Sequence, residues 1–445
     1  MKFFRRCLPA AVFSTALFLA PSVPLAAEST ANSVTPPTVA PESPLTFSAL
    51  VQDALTHNPE LRFYEAELAA ARGESRFAGQ LPNPEFSPQV GQKQTYDPEG
   101  NLLGEGVTWG VSVSQTFEWP GRLSLRKSIA NRQVALAEAG LAQFRAALTA
   151  RIQTLANDLL ISSAVAEATQ AIADRFLALQ EIMVQRDPAG VTPLLETRIL
   201  EANSITYRRR ASAARKATQM AILELNQLRG QPLQAVARIV PEKFQFAEAP
   251  TLDRLISLAA TNNFELRLRR IELEQQGFRI DLAKNERYPS ITVSPYYSRE
   301  NAGGEDRFAG VALSLPLPLW HRNRGAIETA TARTSQAQTS LQLAQRQVER
   351  QVIERATAYE TRRDEMSHWR ADSVERFREA AELADRHYRL GAVPISTYVE
   401  MQKQSLDALE ALLETRRETM EAAQDLELVT GTPLNLISSQ PEAVR

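Results

Sequence analysis

The sequence predicts a mainly α-helical chain with a minor β part, assembled from two copies of one unit. Three observations carry this: two very long stretches almost free of Gly and Pro, an internal repeat at constant offset, and short runs of alternating polarity set between the helical segments. Each copy reads as helix, two strands, very long helix, reversal and shorter helix.

The 445 residues carry a formal charge of -2. Lys2, Arg5 and Arg6 precede an apolar stretch from Leu8 to Leu19 and then Val23-Pro24-Leu25-Ala26-Ala27, the order of a secretory signal peptide, so 1–27 is expected to be removed. The apolar stretch is too short to span a bilayer, and no later one reaches the roughly 18 uncharged residues that a spanning helix needs. Removing the signal takes the charge from -2 to -5, which argues against nucleic acid as a partner. Cys7 is the one cysteine and goes with the signal, leaving neither a disulfide nor a lipid-modified N-terminal cysteine. Residues 28–44, rich in Ser, Thr, Pro and Val, read as a loose N-terminal arm.

Leu45 to Gln80 reads as a helix interrupted at Asn58-Pro59. Leu50, Ala54, Asn58, Glu60, Leu61, Arg62, Glu67, Leu68 and Pro84 match Leu255, Ala259, Asn263, Glu265, Leu266, Arg267, Glu272, Leu273 and Pro289 at one offset of about 205 residues. Further on, Gly110-Val111 aligns with Gly310-Val311, Gly190 and Pro193 with Gly391 and Pro394, and Leu228 to Leu233 with Val429 to Leu434. The repeats therefore run over 45–230 and 251–431, with a linker at 231–250 and a tail at 432–445.

Strands are expected at about 84–96 and 107–119, and again at about 289–299 and 307–320. In the second, Trp109, Val111, Val113, Phe117 and Trp119 face one way while Thr108, Gly110, Ser112, Ser114 and Thr116 face the other, and Gln115 breaks the apolar side. In the fourth, Val311, Leu313, Leu315, Leu317 and Leu319 alternate with Gly310, Ala312, Ser314, Pro316 and Pro318. Alternation of this kind also suits a half-buried strand of a soluble sheet. The length, with aromatics near the ends, is that of a tilted transmembrane strand, and Trp109, Trp119 and Trp320 would mark the interfacial girdle. Four strands cannot close a barrel, and open edges are not tolerated in lipid, so subunits must pool them.

Between Gly140 and Pro188 no breaker occurs; Leu141, Leu148, Leu155, Phe176 and Met183 keep one heptad register, and Ile152, Leu159, Ala166 and Ala173 form a second beside it. Two adjacent seams let a helix pack between two neighbours, as a closed cylinder requires. Ala326 to Leu390 is a second run of about 65 residues, roughly 100 Å as one helix, with Leu341, Val348, Val352, Tyr359, Met366, Phe377, Ala384 and Tyr388 as its stripe. Gly391 and Pro394 then mark a reversal into a last helix ending near Thr430.

Taken together, these residues resemble the TolC family of outer-membrane efflux proteins, especially the branch found with cobalt, zinc and cadmium resistance pumps. The resemblance spans roughly Leu45 to Leu436 and rests on the two-fold repeat, on Gln115 to Arg122 leaving a strand for a helix, on Leu315 to Gly325 in the second half, and on the two glycine turns. It implies a homotrimer whose strands build a 12-stranded transmembrane barrel in the outer membrane of a Gram-negative bacterium, continued by a periplasmic α-helical barrel. It also implies two partners, a periplasmic adaptor (membrane fusion protein) and an inner-membrane pump of the RND type. The hairpin turns near 187–193 and 390–394 would form the tips that meet the adaptor, through Gly190, Pro193, Gly391 and Pro394. Tyr388, Glu196 and Glu400 would form the entrance gate, whereas Thr397 and Val393 depart from the family pattern for an acidic and a basic residue there.

No enzyme motif is present: neither a Gly-rich phosphate loop, nor a nucleophile elbow, nor a zincin helix. His57, His321, His368 and His387 are scattered, without ligand spacing, so no metal site or cofactor is expected and the metal link comes from the resemblance alone. The same architecture could serve multidrug or other small-molecule efflux. From other classes, a periplasmic adaptor would have one hairpin between compact β domains, and a soluble coiled-coil scaffold would lack aromatic-ended strands.

Overall fold

The computed structural model describes residues 45–186, 194–370 and 373–441; the expected signal peptide, the arm and the first tip lie outside them. The first copy contains α1 (Phe47–His57), α2 (Pro59–Ala78), β1 (Glu85–Tyr96), β2 (Leu102–Phe117), α3 (Arg122–Arg186) and α4 (Leu194–Leu228). After β3 (Glu242–Phe246), the second contains α5 (Leu252–Asn262), α6 (Phe264–Asn285), β4 (Ile291–Asn301), β5 (Glu305–Ser314), α7 (Arg324–His368), α8 (Ser373–Arg389) and α9 (Ile395–Thr430), followed by β6 (Ile437–Pro441).

A short helix opens each copy, and an asparagine splits it from the next. Asn58 accepts from Leu61 N with its side-chain oxygen, capping α2, and donates from Nδ2 to Leu228 O at 2.8 Å. Asn263 does the same with Leu266 N and, at 2.7 Å, Val429 O. One side chain thus starts a helix and ties it to the end of its own hairpin. The glycines beside these ties have positive φ, +65° at Gly230 and +69° at Gly431, and a Cβ there would lie 2.6 Å from His57 O and 2.3 Å from Asn262 O. Only glycine supplies both the left-handed turn and the space.

Four elements stand side by side at every level. The main sheet is antiparallel in the order β1-β2-β4-β5. Below it, α3 packs against α2 on one side and α6 on the other, with α7 beyond α6; lower still, α3 lies between α4 and α9, with α8 beyond α9. The linker and the tail meet at mid-height, where β3 pairs antiparallel with β6 and Phe244 meets Phe47 edge-on at 5.3 Å.

The seams expected along α3 are buried: Leu141, Leu148, Leu155 and Phe176 in one register and Ile152, Leu159, Ala166 and Ala173 in the other. They feed two of three cores, one with α1, α2 and the end of α4, and one near the tips with α4, α8 and α9; a third joins α5, α7 and α9. In that third core Tyr359 is fully buried and donates to Ala247 O at 2.6 Å, and burial pushes its phenol up to about 12.

Two expectations are corrected. The run Ala326–Leu390 is not one helix, because α7 ends at His368, Trp369 takes extended backbone (φ -75°, ψ 114°), and α8 starts at Ser373. Past the break Ala384 of the stripe is buried, with Ala381 beside it, but Phe377 is exposed. Strand β5 stops at Ser314, short of Trp320, because Pro316 and Pro318 have no N–H for the ladder. Gln115, the polar intruder in β2, donates to Pro82 O and Thr116 O.

Candidate functional site

The end of the helical rods opposite the sheet brings together residues from both copies. Gly391, at φ +73°, ends α8: its N–H donates to Tyr388 O and that of Ala392 to His387 O, both at 2.9 Å, closing the last turn. Pro394 stands at the N-cap of α9 with φ -70°, one residue before the helix, and its carbonyl accepts from Thr397 N and Tyr398 N. Gly190 and Pro193 lie outside the described residues.

Tyr388, three residues before Gly391, is half-buried and faces the Glu196 carboxylate on the first turn of α4. This contact crosses from the second copy to the first. Burial raises the phenol, and the Glu196 charge raises it further, so Tyr388 remains neutral. The two side chains share a cleft of about 620 Å³ with Leu179, Ile182, Val393 and Ile395. Leu195 and Leu390 are both exposed at this end.

Glu400 stands apart. It is exposed on α9, accepts from Gln404 Nε2 at 2.9 Å, and its charge falls on Tyr207 of α4 rather than on Tyr388. Sequence reading missed Tyr398, which is fully buried between Tyr388, stacked at 5.2 Å, and Phe176, edge-on at 5.5 Å. Burial pushes its phenol up, and the neighbouring Asp385, paired with Arg389 at 2.9 Å, adds to that. The available signal was its position one helical turn past Pro394, facing into the hairpin.

At the other end the sheet separates two surfaces. Phe86, Val90, Val107, Trp109, Val113 and Ile291 are exposed on one face, while Ser112, Ser114, Thr116, Thr292 and Ser294 occupy the other, where Thr116 and Thr292 share a hydrogen bond of 2.9 Å. Trp109 sits in β2 against Tyr297, with ring centroids 5.7 Å apart. Trp119 lies just past β2 and stacks on Tyr288 at 4.7 Å; Trp320 lies six residues beyond β5, almost wholly exposed. Ten residues of extended chain separate Trp109 from Trp119, roughly 33 Å, enough for the apolar band of a tilted membrane strand. Among the described residues no helix is long and apolar enough to cross a membrane, and no three His, Cys, Asp or Glu side chains are grouped to hold a metal ion.

The chain is 26% identical over 336 residues to the cobalt-zinc-cadmium resistance protein CzcC of Cupriavidus metallidurans, covering 72% of this chain and 74% of that one. It is 24% identical over 304 residues to the nickel-cobalt-cadmium resistance protein NccC of Alcaligenes xylosoxydans xylosoxydans, covering 66% of each. The fold matches that of CusC, a structure described with transmembrane channel formation, at a TM-score of 0.69 and 14% identity over 87% of this chain and 92% of CusC. The model of the family described as outer membrane efflux protein matches residues 50–231 and again 255–432, one match per copy. The chain belongs to the outer membrane efflux protein family and is a non-enzymatic outer-membrane channel that extends into the periplasm.

Proposed function

We propose that this channel is a homotrimer that conducts heavy-metal cations passively, delivered by an RND-type inner-membrane pump through a periplasmic adaptor. The observation that carries the assembly is the row of four open at both ends. At the upper level the outer edges of β1 and β5 have no strand partner among the described residues, and Phe63 and Phe77 on α2 and Leu343 and Ile353 on α7 are exposed apolar side chains on the end helices. An open sheet edge is not tolerated in lipid, and three copies joined edge to edge would pool twelve strands, a size within the range of natural outer-membrane barrels. The polar strand face then lines water, and the exposed aromatic face meets lipid between Trp109 and the Trp119–Trp320 level.

Cobalt, zinc, cadmium and nickel enter through the names of the two relatives, and the energy for transport is supplied by the inner-membrane partner. Entry is regulated at the tips. The Tyr388–Glu196 contact holds the two hairpins of one chain together, Tyr398 backs the tyrosine, and the exposed Leu195 and Leu390 at this end offer the adaptor an apolar contact. Glu400, away from this latch, acts as a separate negative charge toward cations approaching the lumen.

The assembly is tested by running unheated membrane samples on SDS gels, where a heat-sensitive band at three times the chain mass is expected. The cargo is tested by deleting the gene in its host and counting survival on cobalt, zinc, cadmium and a panel of dyes. Loss of dye tolerance with metal tolerance intact would transfer the assignment to small-molecule efflux.

A further inference from the structure

The two places where a strand gives way to a long helix correspond in sequence and differ in chemistry. At the first, Glu118 is half-buried and pairs with Arg126, Arg122 is buried and donates to Asn285 Oδ1, Asn285 O and Tyr288 O at 3.2, 3.3 and 2.6 Å, and Trp119 stacks on Tyr288. Glu118, Arg122 and Arg126 each meet partners within the chain. At the second, Leu315, Leu317, Leu319 and Trp320 are 47, 66, 65 and 86% exposed. His321, Arg322 and Arg324 follow, all exposed and without a hydrogen-bond or ion-pair partner among the described residues. No carboxylate occurs between Asp306 and Glu328.

We propose that Leu315–Arg324 is a phospholipid-binding segment that takes anionic glycerophospholipid headgroups of the periplasm-facing leaflet. Three things on the molecule favour lipid as its occupant. The segment continues the exposed apolar side of β5, where Val311 and Leu313 lead into Leu315, Leu317 and Leu319, so it prolongs a surface that already faces the membrane. Its backbone loses less than most in an apolar surrounding, because Pro316 and Pro318 bring no N–H and Leu319 N donates to Leu317 O at 2.9 Å, which lowers the cost of leaving the ladder. Its cations come where the strands end and the helices begin, at the level of the headgroups, with stems long enough to lie along the acyl chains while the guanidinium groups reach phosphate. The segment is fastened at Asn323, whose Nδ2 donates to Ala283 O at 2.8 Å.

The test uses the mature protein purified in neutral detergent and equilibrated with phosphatidylglycerol or phosphatidylcholine, with retained lipid counted by native mass spectrometry. An arginine near an anionic surface is worth about fivefold in binding, so the two together give the wild type a preference for phosphatidylglycerol of roughly 25-fold, falling to within about twofold in the Arg322→Gln/Arg324→Gln variant. In vesicles brominated near the headgroup, Trp320→Phe should remove a quenchable part of the tryptophan emission. Conductance in planar bilayers should be the same in all three proteins, because none of these residues lies at the entrance. Equal retention of both lipids by the wild type, or an undiminished preference in the double variant, would overturn the proposal. Unchanged quenching in Trp320→Phe, together with dissociation of the assembly in the double variant, would also overturn it, by assigning the segment to contact with a second copy.

Discussion

The two copies of the repeat keep the same knot and differ in the rod. In each, one asparagine caps the second short helix and holds the carbonyl at the end of the hairpin, and one glycine makes room for the crossing. The rods have diverged: α3 runs 65 residues unbroken, whereas its counterpart is split into α7, 45 residues, and α8, 17 residues. A duplicated fold is restrained most where a backbone group has one possible partner, and least along a helix face where many small side chains pack equally well.

The largest effect is expected at the crossing glycines. Gly431→Ala introduces a left-handed alanine and a Cβ 2.3 Å from Asn262 O, so a loss of about 3 kcal/mol is expected. Gly230→Ala, at 2.6 Å from His57 O, should cost somewhat less. Thermal loss of helical circular dichroism in detergent would rank the two, and the reverse order would mean that the knots are not held alike. Next come Asn58→Ala and Asn263→Ala, each removing a cap and a long-range tie, about 2 kcal/mol apiece. Because the knots share no partners, the double variant should show the sum; a clear departure would mean that the two knots are energetically coupled.

Much of this was legible in the sequence. Asn58, Asn263, Gly230 and Gly431 stand in the aligned repeat, and the apolar registers of α3 name its buried face, because heptad spacing and left-handed glycines are local signals. The break after His368 was not legible from breaker residues, since Ala326 to Leu390 contains no Gly or Pro. The one local cue is Asp372-Ser373-Val374-Glu375, which reads as a capping sequence. The overrun of β5 to Trp320 followed from alternation alone, which does not see that proline lacks a ladder donor. At the tips, Tyr388 and Glu196 were each marked, but their meeting depends on how two distant hairpins lie together, and Tyr398 emerges only from that packing.

The cross-copy contact gives a smaller effect. Tyr388→Phe removes a hydroxyl that faces a carboxylate, a change of about 1.5 kcal/mol, which should raise the frequency of open events in planar bilayers about tenfold if the contact holds the entrance shut. Glu196→Gln should do less, since an amide still offers the hydroxyl a polar partner. The raised phenol gives the pH sign: the neutral hydroxyl persists below the ordinary tyrosine value of about 10 and is lost only as pH climbs past the raised one, so conductance should be flat from pH 7 to 9.

The smallest effect tests whether the copies are pressed together where α3 meets α9. Asp158 on α3 and Glu421 on α9 both have carboxyls raised by burial, with Arg417 pulling each back down. A carboxyl raised by folding favours the native state in its protonated form. Its contribution is therefore full below the ordinary carboxylate range and is lost as pH rises through the raised value, so acidification toward the ordinary carboxylate range should stabilise this seam. Both groups are partly wet, and the surrounding charges are screened, which limits the change in melting temperature to about 1–2 °C. Glu421→Gln should mimic the acid form at pH 7.5 and flatten the pH dependence. A steeper dependence in that variant would show that Arg417, not burial, governs the seam.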